Sequence, residues 1–269
     1  MKIVLWIGNE ANQKALANKM HAQFPLAGIV RESKKHKRNI TFKLLFEKLI
    51  EKIFLSSIGK SWYGMKSHYD SMYFGYPDTH ILDVENINCQ SAYDFTKEIA
   101  PDLILVSGTR LIKAQMLGLK PSVGILNLHT GLSPYIKGGP NCTNWCISTA
   151  QFHLIGNTIM WIDGGIDSGN IVRTDFTSFD GTENLFQLHL KVMEHAHYLY
   201  LRAIDDVVHN NFSNVKQSDI VVGQLYYNKS WGLKEKIAMV KNLPAWKRKI
   251  KNGEILKKQQ SVRIVKGRN

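Results

Sequence analysis

The sequence predicts an α/β protein with a mostly parallel, doubly wound sheet. Short, uninterrupted apolar runs recur along the chain, as expected of strands that are buried on both faces. The segments between these runs carry apolar residues at helical spacing. Strands that alternate with helices of this length favour a parallel sheet with helices on both faces. The 269 residues suffice for one large domain with an appendage, or for two small domains.

Five apolar runs are predicted strands, at residues 2–8, 26–32, 103–106, 123–129 and 156–163. Helical periodicity predicts helices at 10–24, 40–59 and 182–211, with another that ends before Pro101. Residues 61–79 are rich in aromatic side chains and show no clear period. These elements make up the predicted sheet and its two helical layers.

After residue 211 the pattern changes, and we place a domain boundary there. The predicted catalytic domain covers residues 1–211, and a small C-terminal α/β subdomain covers 212–269. In the second part the sequence predicts a strand pair that bends at Gly223, a basic helix interrupted by Pro244, and a last strand at 261–267. A segment of under sixty residues is small for an independent domain, so we expect it to pack on the first.

Basic residues are concentrated at the two ends of the chain, whose net charge is +13. Residues 1–60 hold 12 Lys or Arg against 4 Asp or Glu, and residues 229–269 hold 13 against 2. Basic ends suit nucleic acid, membrane headgroups or a phosphorylated small substrate. Solvated lysine-rich surfaces explain them equally well. Charge alone therefore does not select a partner.

The remaining composition favours a cytoplasmic protein without a bound metal. No apolar window approaches a membrane span, and the N-terminus becomes polar too early for a secretory signal. The three cysteines include Cys142 and Cys146, but no second Cys or His pair lies nearby at zinc spacing. We therefore predict reduced thiols, no membrane insertion and no metal site.

Polar residues at the end of one predicted strand indicate a reactive site. Asn127 and His129 lie two positions apart, so they share a face where ligands bind in parallel sheets. The later stretch "WIDGGIDSGN" places Asp163 and Asp167 in a glycine-rich loop. An Asn amide can donate to an oxyanion, and a His held by a carboxylate can move a proton. A single His or Asn at a strand end is more often structural, but the coincidence of the three elements favours acyl chemistry.

The stretch "LNLHTGLSPYIKGG", followed by "GNTIMWIDGGIDSGNIV", resembles the folate-dependent formyltransferase family over about residues 1–205. The resemblance implies a Rossmann-like formyltransferase sheet, 10-formyltetrahydrofolate as co-substrate and a primary amine as acceptor. By position it makes Asn127, His129 and Asp167 catalytic. It implies that the cofactor-binding residues are Arg110, Leu111, Ile112, Ile162, Asp163, Gly164, Gly165 and Ile166.

The sequence departs from the family pattern at two places. The usual Ser-Leu-Leu-Pro is Gly131-Leu132-Ser133-Pro134 here, which affects the details of that loop. Met160 stands where the enzymes of purine synthesis carry a second His. This second departure argues against glycinamide ribonucleotide as the acceptor, and those enzymes also end near residue 200 of this layout.

Among acceptors, the resemblance favours the amino group of a nucleotide-linked amino-dideoxy sugar used for surface polysaccharide such as O-antigen. The stretch "GQLYYNKSW" and the helical insertion at 40–78 resemble the corresponding parts of those sugar enzymes. We also expect this protein to be a homodimer. Gly8, Asn9 and Lys137 are then the predicted contacts of the sugar nucleotide. Methionyl-tRNA is the alternative, favoured by the basic ends, although the tRNA enzymes carry a larger C-terminal domain.

An alternative outside catalysis is a basic nucleic-acid-binding module that uses Trp231, Trp246 and the basic helix around them. Basic runs with an aromatic residue are more often solvated helix faces. A nucleic-acid binder would lose affinity steeply with salt, whereas formyl transfer would need Asn127 and His129 at any salt concentration. We therefore predict that the protein does not bind nucleic acid.

Overall fold

The computed structural model describes residues 1–33, 42–139 and 141–268. Within these residues the strands are β1 (Ile3–Gly8), β2 (Leu26–Glu32), β3 (Ile81–Val84), β4 (Leu103–Ser107), β5 (Gly124–His129), β6 (Ile136–Gly138), β7 (Gly156–Trp161), β8 (Ile171–Phe176) and β9 (Gln224–Tyr226). The α-helices are α1 (Ala11–Gln23), α2 (Phe42–Phe54), α3 (Ser56–Met72), α4 (Gln90–Ile99), α5 (Ala114–Leu117), α6 (Cys142–Ser148), α7 (Leu185–Val208), α8 (Leu233–Lys251) and α9 (Glu254–Gln259).

Seven strands form the central sheet in the order β3-β2-β1-β4-β5-β7-β8. The first five of these are parallel to one another, while β7 runs antiparallel to both β5 and β8. The strands β6 and β9 form a separate two-stranded sheet. The predicted fold class, a mostly parallel doubly wound sheet, is confirmed.

Alternate residues of the central strands enter two different cores. Leu5 on β1 packs in a cluster with Leu16 of α1 and Tyr200 of α7. The next residue, Trp6, packs on the other face with Ala92 of α4 and Met116 of α5. Because successive side chains of a strand point to opposite faces, strands with apolar residues at every position require helices on both sides.

The C-terminal segment packs on the rest of the chain, as expected of a segment too small to fold alone. Trp246 of α8 is fully buried in a cluster that contains Cys146 of α6 and Leu185 of α7. The boundary at residue 212 stays a prediction. Across the described ranges, no helix combines the length and the apolar character needed to cross a bilayer.

Several predicted elements differ from the structure. Residues 61–72 of the unassigned aromatic segment lie in the helix α3, and the sheet contains two strands, β3 and β8, that were not predicted. Helix α8 continues through Pro244. Only Gln224–Tyr226 of the predicted strand pair is a strand, and the last predicted strand is wrong, because residues 263–268 form no regular element. Residues 40 and 41 of the second predicted helix lie outside the described residues.

Candidate active site

Asn127 and His129 lie at the carboxyl end of β5, between β4 and β7. Asn127 is in register with Val106 on β4 and Met160 on β7. Its side chain lines a cavity of about 560 Å³ and forms no hydrogen bond to another residue of the described chain. The Asn127 amide is therefore available to a ligand in the cavity.

The ring of His129 is enclosed between a carboxylate and a thiol. Its Nδ1 lies 3.4 Å from Asp167 Oδ2, and its Nε2 lies 3.5 Å from Cys142 Sγ. Burial raises the pKa of the Cys142 thiol well above its usual range, so this group stays protonated beside the imidazole. A protonated, buried thiol is a poor nucleophile, and this favours attack by a group of the substrate.

Asp167 is held in place through both its carboxylate and its backbone. Its Oδ2 accepts a hydrogen bond of 3.1 Å from the Gly138 amide, and its carbonyl accepts one of 2.7 Å from Gln217 Nε2. Its φ of 47° lies in the left-handed region, which Asp adopts more readily than most residues. These contacts direct the carboxylate toward His129.

Asp163, the other acidic residue of this loop, has a different role. Its Oδ1 accepts hydrogen bonds of 2.9 Å from the Gly165 amide and 2.5 Å from Ser168 Oγ. The carboxylate therefore stabilises the turn of its own loop. Of the two candidate carboxylates, the structure brings Asp167 to the imidazole.

Two segments form opposite walls of the cavity. One runs from Val106, near the end of β4, to Ile112, and the other runs from Met160, near the end of β7, to Gly169, apart from Gly164. Each wall carries an apolar side chain that is strongly exposed, 56% for Leu111 and 47% for Ile166. A flat heteroaromatic ring between these walls would cover both side chains, so the residues present fit the pterin of a reduced folate.

A buried carboxylate fixes the first wall. Glu32 at the end of β2 accepts hydrogen bonds of 2.8 Å from the backbone amide and the guanidinium of Arg110. It also accepts a bond of 2.9 Å from the Ile87 amide, and the Arg110 guanidinium donates in addition to the Glu85 carbonyl. The contacts of Arg110 with Glu32 and Glu85 therefore hold the first wall in position.

The predicted site residues divide into two groups. The catalytic trio and the predicted cofactor residues, except Gly164, line one cavity. Gly164, Gly8, Asn9 and Lys137 do not line it. The Asn9 amide donates to Ser33 Oγ, and a Cβ at Gly8 would lie 2.7 Å from the Gly108 carbonyl oxygen, so close packing requires that glycine. The ligand contacts of these residues stay predictions.

Three further residues that were not predicted shape the site: Trp62, Glu32 and Gln217. Trp62 lies in the aromatic segment that showed no period, and it lines the cavity. Glu32 and Gln217 are single polar residues whose partners lie 78 and 50 positions away. Among the described residues, no group of three His, Cys, Asp or Glu side chains is arranged to hold a metal ion.

A family model described as formyl transferase matches residues 76–204. The methionyl-tRNA formyltransferase of Clostridium tetani is 30% identical over 131 residues, which are 48% of this chain and 41% of that protein. The chain thus spans about two fifths of the length of that curated relative.

Solved structures share the fold over a larger part of the chain. A sugar N-formyltransferase from a Shewanella species aligns with 90% of this chain and 88% of its own, with a TM-score of 0.59 and 13% identity. An N-formyltransferase from Helicobacter canadensis, in complex with folinic acid and dTDP-3-aminofucose, covers 89% and 81% with a TM-score of 0.53 and 14% identity.

The family match begins shortly before β3 and continues into α7, so it contains β5, the loop after β7 and the wall of Arg110. The enzymes of this family take the formyl group from 10-formyltetrahydrofolate. The enclosed Asn, His and Asp side chains and the two walls around them all lie within the matched residues. Residues 76–204, just under half of the chain, match the formyl transferase family, whose members use folate.

Proposed function

We propose that the protein transfers the formyl group of 10-formyltetrahydrofolate to the amino group of a nucleotide-linked amino-dideoxy sugar. The product would serve surface polysaccharide, such as O-antigen. The proposal includes a cytoplasmic location and a homodimer, as predicted from the sequence.

The observation that carries the proposal is the placement of Asn127, His129 and Asp167 in one cavity between two walls that suit a flat ring. Acyl transfer to an amine needs donors where negative charge develops, and a group that can carry a proton. The amide and the imidazole supply both. No protein nucleophile is required, because the acceptor amine attacks.

Each residue of the trio has a distinct part in the reaction. Asn127 donates from its amide to the formyl oxygen as that oxygen gains negative charge. His129, in its protonated form, donates to the same oxygen, since its contact with the Cys142 sulfur is weak. Asp167 orients the ring and stabilises its charge. The new bond joins the amine nitrogen to the formyl carbon, the bond from that carbon to N10 breaks, and N10 gains the proton that the amine loses.

Three features support a sugar nucleotide as the acceptor. The structural match to a sugar N-formyltransferase covers 90% of this chain and 88% of the other, so it extends well beyond residues 76–204. One structural relative is in complex with dTDP-3-aminofucose. Met160, rather than a second His, lines the cavity beside Asn127.

An acceptor panel tests this proposal. Purified protein is incubated with 10-formyltetrahydrofolate and, separately, dTDP-3-aminofucose, its 4-amino counterpart, methionyl-tRNA or glycinamide ribonucleotide. We expect tetrahydrofolate to be released with one of the amino sugars, and mass spectrometry to show a formylated product. Turnover with no amino sugar would contradict the proposal.

Methionyl-tRNA is the second candidate, because the curated relative in Clostridium tetani is a methionyl-tRNA formyltransferase and both ends of this chain are basic. In that case turnover would fall steeply as salt is raised, since tRNA binding releases counterions. A sugar nucleotide carries few charges, so its turnover would depend much less on salt. Rates at two salt concentrations with both acceptors distinguish the candidates.

A further inference from the structure

The helix α3 contributes one side chain, Trp62, to the wall of the candidate active site. This helix precedes the residues 76–204 that the family model matches, so Trp62 lies outside that pattern. The indole is 39% exposed, whereas the neighbouring Tyr63 is 72% exposed and does not line the cavity. An indole that is partly exposed on a cavity wall offers a flat apolar surface to a ligand.

The position of Trp62 is fixed because α3 is anchored along the same face. Met65 and Tyr69 follow Trp62 at intervals of three and seven, so the three side chains lie on one side of the helix. Both are buried in a cluster with Ala11 and Ala15 of α1. Tyr69 also donates a hydrogen bond of 2.8 Å to Glu194 of α7.

The first turn of α1 lines the same cavity with polar groups. Glu10, Asn12 and Gln13 contribute to the lining, and Lys66 of α3 lies 3.3 Å from the Glu10 carboxylate. Asn12 and Gln13 are buried, and their side-chain oxygens have no hydrogen-bond partner among the described residues. These two oxygens are closed to solvent, so the parts of Asn12 and Gln13 that line the cavity are their other side-chain atoms.

We propose that Trp62 and the first turn of α1 form the binding site for the hexose ring of the acceptor. This inference rests on the proposed function and deepens it. The amine must reach Asn127 and His129, and the ring that bears it is the next part of the molecule outward. The indole then packs on the C–H face of the ring, while the side chains of Asn12 and Gln13, which line the cavity, contact its polar substituents. Trp62 is thus a specificity-determining residue on the inserted helix.

Substitution of Trp62 tests the proposal in steady-state kinetics with 10-formyltetrahydrofolate and the amino-sugar nucleotide that the wild type turns over. Trp62→Ala should raise the acceptor KM about tenfold, a change that corresponds to the loss of one aromatic contact. The KM for 10-formyltetrahydrofolate should stay unchanged. Trp62→Phe, which keeps a ring, should have a smaller effect. Tyr63→Ala, adjacent on α3 but outside the cavity, is the matched control.

Binding of dTDP alone separates a sugar contact from a base contact. If Trp62 contacts the hexose, calorimetry should give the same dTDP affinity for wild type and Trp62→Ala. A weaker dTDP affinity in the variant would overturn the proposal, because the indole would then contact the base or phosphates. An unchanged acceptor KM in a folded Trp62→Ala would also overturn it. Absence of turnover with any amino sugar in the wild type would instead contradict the proposed function, and this inference with it.

Discussion

Gly131 lies so close to the imidazole of His129 that the side chain of any other residue would displace it. A Cβ at this position would be 2.5 Å from His129 Nε2 and 2.8 Å from Cys142 Sγ. The glycine therefore determines where the ring sits between the thiol and Asp167. Gly131 also stands in place of the Ser in the Ser-Leu-Leu-Pro of the family. The close approach of His129 and Cys142 explains why a glycine is needed here.

We expect Gly131→Ala to lower kcat by roughly a hundredfold while the fold is retained, because small displacements of catalytic groups have effects of this size. The matched control is Gly59→Ala on α3, where an added Cβ meets no atom within 4 Å. Kinetics and melting temperature of both variants provide the comparison. A normal kcat in Gly131→Ala would mean that the position of the ring does not limit the reaction.

The two acidic residues of the loop after β7 should have separable effects. Asp167→Asn keeps the shape and the left-handed backbone but removes the charge beside His129, so kcat should fall by about a hundredfold with little change in folate affinity. Asp163→Asn should mainly raise the KM for 10-formyltetrahydrofolate, since its carboxylate stabilises the loop. Steady-state kinetics on both variants, with a separate titration of folate, measure these effects. Loss of turnover in Asp163→Asn alone would reverse the assignment of the two carboxylates.

At the scale of elements, Glu32 connects three segments at one end of the sheet. It lies at the end of β2 and receives hydrogen bonds from the loop before α4 and from Arg110 after β4. Its side chain is fully buried, and these donors occupy its carboxylate oxygens.

Glu32→Gln should therefore loosen the wall that carries Arg110. We expect the KM for 10-formyltetrahydrofolate to rise about tenfold or more, together with a lower melting temperature, because a buried charge partner is removed. Asp83→Asn on the adjacent strand β3 is the control, since it removes a carboxylate that pairs with Arg31 at the surface. An equal effect of both variants on the folate KM would indicate general destabilisation of the sheet edge.

The central strands could be predicted from the sequence because they are buried on both faces and read as continuous apolar runs. Helix α3 could not, since its aromatic residues alternate with Lys, Ser and His and only one face is buried. The edge strand β3 has only four residues and is half exposed, so it offers too few positions to show a period. Pro244 does not interrupt α8, because the buried Trp246 and Met239 hold the helix on either side of it.

The candidate site was predictable only in part. Asn127 and His129 lie two positions apart at a strand end, so the sequence predicts that they share a face. Asp167 lies in a glycine-rich loop after another predicted strand. Gln217 acts on Asp167 from the C-terminal segment, and such a contact depends on folding that local sequence does not encode. The same holds for Trp62, whose place in the wall depends on the docking of α3.

At the scale of the whole molecule, two buried histidines of α7 make stability depend on pH. Burial lowers the pKa of His189 to about 4, and burial and the nearby Lys19 lower that of His197 to about 3. In the unfolded chain both would titrate near 6.5. Above that pH both states are neutral, and below it only the unfolded state takes up protons, so the free energy of unfolding falls as pH decreases.

We expect this loss to begin near pH 6.5 and to continue down to about pH 4 for His189 and about pH 3 for His197, with roughly 1.4 kcal/mol per pH unit for each histidine. Chemical denaturation of the wild type and of His197→Gln at several pH values measures the slope. The variant should lose about half of the histidine contribution even if it is less stable at neutral pH. Identical slopes would show that His197 is not kept neutral in the folded state.

The most direct test of the account is the turnover of Asn127→Ala with 10-formyltetrahydrofolate and the accepted amino sugar. The amide faces the cavity and has no partner in the described chain, so its removal should leave the melting temperature close to that of the wild type. Loss of one oxyanion donor should lower kcat by about a hundredfold to a thousandfold. Asn214→Ala, at an exposed position far along the sequence, is the control. A folded Asn127→Ala with near-normal kcat would contradict the proposed mechanism.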